Sequence, residues 1–283
     1  MNADKLKAII SKKSLGNSDS SQKLFQMFYF ERILERILER ISISEYKGQI
    51  ILKGGLLLNS IVGEDERTTK DMDATLKGIE VSEEKIIEMF NKILNMQLND
   101  GVSFKLISII DIRLEDEYGE YKINILATLD NNKTYVTVEL TMGDVITPRE
   151  MKFSYNSMFE DKKISIMAYT LETILAEKFQ TVIDRGILNT RMKDFYDIHI
   201  LITTKINDKN IINLISAIKN TFARRETKLD INEFKIILEE LRENVELNKM
   251  WKEYQNKNNY ATKVEYQDTI EAIRKIIEIL ETE

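Results

Sequence analysis

Apolar residues along this chain follow two rhythms, and the rhythm changes near its middle. They recur at Leu24, Met27, Phe28, Leu34, Leu38 and Ile41, three or four apart or at multiples of that spacing, and this predicts a helix. Arg32, Glu35, Arg36 and Glu39 fall on its other side, where charges at that spacing pair along a helix face. A Gly/Asn/Ser/Asp stretch, Ser14–Ser21, separates this helix from a short N-terminal one. Gln49–Lys53 is a compact apolar run, a strand ended by Gly54-Gly55, and Leu56–Val62 reads as a helix opening at those glycines. Val81–Met96 is amphipathic, with Ser82 placed to cap it. Three β-rich runs follow, Ser103–Arg113, Tyr121–Leu129 and Thr134–Thr141. Asp130-Asn131-Asn132-Lys133 supplies turn chemistry between the second and third.

Beyond Pro148 the helical period returns. Leu171–Ile183, Met192–Thr203, Ile211–Phe222, Ile231–Glu246 and Val264–Leu280 predict five helices. The expected organisation is an α/β domain over residues 1–155 and an all-helical domain over 156–283. Pro148 is the only proline; its fixed φ and missing N–H suit the exit of a strand at that change. Trp251–Lys263, with Trp251, Tyr254 and Tyr260 among lysines, reads as a loop packed by its own aromatics, and His199 as a satisfied core or edge histidine. No apolar run reaches the ~18–20 residues of a membrane span, and the N-terminus lacks a signal-peptide core. A cytoplasmic protein is expected.

Composition narrows the chemistry. The 283 residues include no cysteine and one histidine, which excludes disulfides, thiolate nucleophiles and multi-histidine metal sites. Carboxylates, lysines, arginines, hydroxyls and oxygen-ligated metals remain. With 41 basic against 47 acidic residues the net charge is −6, so any nucleic-acid contact needs a local basic patch. Lys162-Lys163, Arg185, Arg191, Lys193, Arg224-Arg225 and Lys228 are the material for one.

Two features within Leu52–Leu76 are chemically loaded. Gly54-Gly55, between a strand and a helix, allows a phosphate to approach bare backbone N–H groups at the helix N-terminus. Asp71 and Asp73, two apart on a strand, project to one face. Convergent carboxylates repel unless something positive lies between them, and hard oxygen ligands suit Mg²⁺, or Mn²⁺, held together with substrate phosphates. Alone, a Gly-Gly is a turn and an Asp-x-Asp a solvated edge; strand, Gly-Gly, helix, loop, Asp-x-Asp strand is a more specific order. Glu139 alternates with Val138 and Leu140 and is a candidate third ligand, since an acid in an apolar strand is costly unless paired or metal-bound. In the second half, Asp194 and Asp197 sit one turn apart on a largely apolar helix, and Glu177-Lys178 and Arg185 lie on another. A long cation such as Lys178 suits nucleotide phosphates.

The order in the first half resembles the polymerase-β-like nucleotidyltransferase fold. KGG, eleven residues, RTTKDMD, then VELTMGDVITP, then LAEKFQTVIDRGILNTRMKDFYDIH resemble the AbiEii/AbiGii family of nucleotidyltransferase toxins over residues of roughly 50–200. These are the toxin halves of type IV toxin–antitoxin systems in phage abortive infection. The resemblance implies an α+β architecture: a nucleotidyltransferase domain of mixed sheet with flanking helices, followed by a helical domain closing the active-site cleft. It implies transfer of a nucleotide from an NTP, GTP or a pyrimidine NTP, to an RNA such as a tRNA 3′ end, and neutralisation by a cognate antitoxin. Asp71, Asp73 and Glu139 would bind the metal. Asp71, Asp73, Lys178 and Asp194 would be catalytic, and Gly54, Gly55, Arg67, Lys178, Arg191, Lys193 and Asp197 would face the nucleotide, with either Asp194 or Asp197 handling the attacking hydroxyl. Two departures stand out: Gly-Gly replaces the Gly-Ser of related transferases, and Glu139 stands where many relatives have Asp. The alternatives are a small-molecule or protein-hydroxyl acceptor, or a non-catalytic NTP-binding module.

Overall fold

The computed structural model describes Ala8, Ser11 and residues 21–63, 69, 71–78, 82–112 and 119–282. The proposed linker before Ser21 and the nucleotide contact Arg67 lie outside the described residues. The chain divides into two compact units, Met1–Asp144 with Met151–Ala168, and Val145–Glu150 with Tyr169–Glu283.

The first unit holds helix α1 (Ser21–Ile43), strand β1 (Ile50–Lys53), α2 (Gly54–Val62), β2 (Asp71–Leu76) and α3 (Glu83–Leu94). Strands β3 (Val102–Asp111), β4 (Glu120–Leu129), β5 (Asn132–Met142), β6 (Met151–Asn156) and β7 (Lys163–Ala168) complete it. They form one seven-stranded mixed sheet in the order β3-β4-β5-β2-β1-β7-β6. β2 runs antiparallel to β1 and parallel to β5. The period-two pattern has the expected consequence: Met72, Ala74, Ile123, Ile125, Val136, Val138 and Leu140 are all buried, while their alternates make a half-exposed polar face. Ser82 caps α3 as expected, accepting from the Lys85 N–H.

Two features go beyond what the sequence pattern predicts. The hairpin β6–β7 was not foreseen after Pro148, because its two strands are short and one of them, Lys163–Ala168, pairs in parallel with β1 deep in the sheet. The polar side of α1 is not solvated. Arg32, Glu35, Arg36 and Arg40 are 0–2% exposed, since the segment after β6 closes over them: Glu35 accepts from Ser157 Oγ at 2.7 Å and the Met158 N–H at 2.6 Å. Glu160 takes Arg32 at 2.9 Å and Arg36 at 3.2 Å, and Arg40 grips Asp100 through two nitrogens. Burying these charges is tolerable because nearly every one meets an opposite charge.

The second unit contains α4 (Leu171–Arg185), α5 (Met192–Thr204), α6 (Asp208–Arg224), α7 (Ile231–Glu243), α8 (Val245–Lys257) and α9 (Tyr266–Glu281). Ile231–Glu246, read as one helix, is broken at Asn244, whose side chain accepts from the Leu247 N–H and starts α8. Trp251 is therefore helical and buried, its indole N–H donating to the Val264 carbonyl at 3.0 Å. Phe179, Phe222 and Phe234 meet in the core. His199 Nδ1 lies 3.1 Å from the Asp268 carbonyl, the satisfied histidine that was expected. Among the described residues no helix is long and apolar enough to cross a membrane.

Candidate active site

The site in the first unit is set by register. Across four strands Lys53, Asp73, Glu139 and Lys122 are direct partners, so a row of charges in the order plus, minus, minus, plus crosses the open face. Asp71, two residues before Asp73, stands on the same face opposite Thr137. The outer lysines are engaged. Lys53 Nζ lies 2.6 Å from Asp144 Oδ2, which also accepts from Thr141 Oγ1 at 2.6 Å. Lys122 Nζ lies 3.6 Å from Glu139 Oε1. Burial, then the Asp73 and Asp71 carboxylates, push Glu139 above the usual carboxylate range, and Lys122 only partly offsets them.

Gly54 and Gly55 serve this row directly. Gly54 has φ +65°, and a Cβ there would lie 1.8 Å from Asp73 Oδ2, an impossible approach. The Gly55 N–H donates to the same oxygen at 3.2 Å. The opening of α2 was read as a cradle for phosphate; here its first bare N–H holds a carboxylate. Helix N-termini favour either anion for the same electrostatic reason.

The metal expectation divides. Among the described residues no three acidic or imidazole side chains are gathered closely enough for a ready cation cage. The donor set nonetheless fits a hard divalent ion: three carboxylates share one face, and their mutual repulsion is expressed in Glu139.

The helical unit holds the other predicted residues. Lys178, on α4, is within 2.7 Å of Asp194 and 2.6 Å of Asp197, both on α5 and at most 3% exposed. Arg191 Nε reaches Asp194 Oδ2 at 2.8 Å. Burial opposes the Lys178 ammonium, but Asp197 and Asp194 outweigh it and raise its pKa. Burial likewise opposes the Asp194 charge, yet Lys178 and Arg191 hold its carboxyl below the ordinary range. Lys193 neighbours this cluster in sequence at the start of α5 and is half-buried.

Much of the basic material noted in the sequence is spent internally. Lys162 pairs with Glu39, Lys228 with Asp230, and Arg225 donates to Gln180 and Thr181. The lysines that flank the acid row, Lys53 and Lys122, were missed because their importance lies in cross-strand register, which a local pattern does not reveal.

Comparison with known proteins finds the following similarities. JHP933 from Helicobacter pylori is similar at 14% identity, covering 91% of this chain and 93% of its own, with a TM-score of 0.48. The antibiotic-resistance factor ANT(2″)-Ia is similar at 13% identity over 71% of this chain and 96% of its own, with a TM-score of 0.43. No curated protein sequence matches the chain. Residues 36–275 match the family described as "Nucleotidyl transferase AbiEii toxin, Type IV TA system". This chain therefore belongs to the AbiEii family of nucleotidyltransferase enzymes, toxins of type IV toxin–antitoxin systems.

Proposed function

We propose that the protein transfers a nucleotide from an NTP to an RNA acceptor, such as a tRNA 3′ end, and that a cognate antitoxin restrains it during phage infection. The observation that carries the reading is the acid row: Asp71, Asp73 and Glu139 share one face of adjacent strands, and burial, then Asp73 and Asp71, raise the Glu139 pKa despite Lys122. These three would hold Mg²⁺ or Mn²⁺, which when bound supplies charge neutralisation at the reacting phosphate. Gly54 keeps Asp73 against the start of α2, and the Gly55 N–H fixes the orientation of its carboxylate.

In the helical unit Lys178, Arg191 and Lys193 are the cations we assign to phosphate oxygens. Asp194 suits an orienting role better than that of a base. A carboxylate held ionised by Lys178 and Arg191 is a weak proton acceptor. It fixes where both cations point, and Asp197 anchors Lys178 from the next turn.

The test is incubation with total tRNA, Mg²⁺ and each labelled NTP in turn. Wild-type protein should label RNA with one or more NTPs, and Asp71→Ala should lose that labelling. No transfer from any NTP, or equal transfer by Asp71→Ala, would overturn the reading.

A further inference from the structure

The acid row is one of several rows on the open face of the sheet, and the others carry a different chemistry. One step along the strands from Glu139, Asp71, Thr137, Asn124 and Ser108 are partners across β2, β5, β4 and β3. They are linked by Thr137 Oγ1 donating to Asn124 Oδ1 at 3.4 Å and Asn124 Nδ2 donating to Ser108 Oγ at 2.9 Å. The next row is Tyr135, Leu126 and Lys105, and the one beyond it Lys133, Thr128 and Ser103. These last two rows contain no acid.

Tyr135 is the one aromatic among the exposed large apolar side chains of the described residues. Every second residue of β5 on the other side, Val136, Val138 and Leu140, is buried, as a core strand requires, yet Tyr135 turns its ring outward and is 66% exposed. A singly exposed apolar side chain is ordinary, so what distinguishes this ring is the company it keeps on the sheet face. Lys133 and Lys105 are exposed too, and neither pairs with an acid among the described residues, unlike Lys162, Arg225, Lys228 and Arg191. An outward ring with Lys133 two residues along its strand and Lys105 beyond Leu126 in its row, on a face otherwise lined by hydroxyls and an amide, is a composition suited to unpaired nucleotides. The ring stacks on a base, the ammonium groups meet phosphates, and the hydroxyls and amides take base or sugar edges.

We propose that this outer part of the open face, Tyr135 with Lys133 and Lys105, seats the single-stranded end of the RNA acceptor. The inference rests on the RNA reading above and adds where that RNA lies. Four residues of strand at about 3.3 Å each put the Tyr135 backbone about 13 Å from that of Glu139. The ring therefore meets a base upstream of the reacting end. Thr137, Asn124 and Ser108 lie between the two. A net charge of −6 does not oppose this, because the two outermost rows carry only positive charge.

The test uses the full chain with a fluorescein-labelled single-stranded oligoribonucleotide, with EDTA present so that binding is read without turnover. A blunt RNA duplex of the same composition is the control. Tyr135→Ala should weaken single-strand binding about five- to hundredfold, and Tyr135→Phe, which keeps the ring, should restore it. Lys105→Gln and Lys133→Gln should each lower the salt slope of log affinity by about one, with little dependence on sequence. All three side chains are exposed, so the variants keep their fold. Unchanged affinity in Tyr135→Ala overturns the proposal. A raised KM for NTP with RNA binding intact also overturns it, since the ring would then serve the nucleotide. If wild-type protein labels RNA while the variants label it with unaltered KM for RNA, this inference alone fails. If wild-type protein labels no RNA, the parent reading fails first.

Discussion

The two clusters of charge to which we assign the proposed chemistry are built on opposite principles. The acid row of the sheet gathers like charge on one face. Asp71, Asp73 and Glu139 share that half-exposed face, where the Gly55 N–H holds Asp73 and Lys122 lies 3.6 Å from Glu139. The Lys178–Asp194–Asp197 cluster is nearly complete within itself, with two buried acids at 2.7 and 2.6 Å from one ammonium and Arg191 closing the set. Converging like charges invite a ligand, whereas a closed cluster supplies rigidity and holds its cations in place. Removing a member should therefore have different consequences in the two.

The largest effect is expected at Lys178. Lys178→Met leaves Asp194 and Asp197 as buried acids without their shared cation, and should cost about 3–5 kcal/mol of stability, read by denaturant unfolding. A loss below about 1 kcal/mol, the range of an exposed pair, would break the contrast. A pH series sharpens it. Asp194's folded pKa is depressed, so its contribution is present above its ordinary range and is lost as pH falls through the folded value. Asp194→Asn should flatten that acid limb. An unaltered limb would mean that Asp194's charge is not what the cluster protects.

Next comes Gly54, where the acid row depends on backbone. Gly54→Ala puts a methyl group where Asp73 Oδ2 lies and sets an L residue at φ +65°. We expect about 1–3 kcal/mol of destabilisation and, because displacement at a reacting centre is amplified, a loss of transfer of about a hundredfold. Stability is read by thermal or denaturant unfolding and transfer by the RNA-labelling assay. Full activity in Gly54→Ala would show that Asp73 does not need this seat.

The contrast also marks what the sequence made legible. The acid row was readable because strand periodicity is local: Asp71 and Asp73 are two apart, and Glu139 breaks an apolar alternation. Pairing of Lys178 with Asp194 and Asp197 was not readable, since it joins two helices that only tertiary packing brings together. The burial of α1's polar side was not readable for a related reason. A helix with charges on one side reads as amphipathic, and nothing within Leu24–Ile41 announces that Glu160 and Ser157 will cover them. The hairpin β6–β7 lacked the length and alternation that made β3, β4 and β5 visible. Cross-strand register is the deepest gap, because it alone turns Lys53 and Lys122 into neighbours of the acids.

The smallest expected effect tests the acid row most finely. Lys122 is 41% exposed and Glu139 32%, so their pair at 3.6 Å is screened by solvent, and Lys122→Gln should change stability by less than about 1 kcal/mol. The same ammonium nevertheless opposes any second cation at Glu139. Removing it should tighten divalent-ion binding about two- to fivefold, the equivalent of a surface pair, measured by calorimetry with Mn²⁺ in the absence of NTP. Weaker Mn²⁺ binding in Lys122→Gln would reverse the argument. It would mean that Lys122 holds Glu139 in place for the ion, so that the row is organised by its lysine and not merely relieved by it.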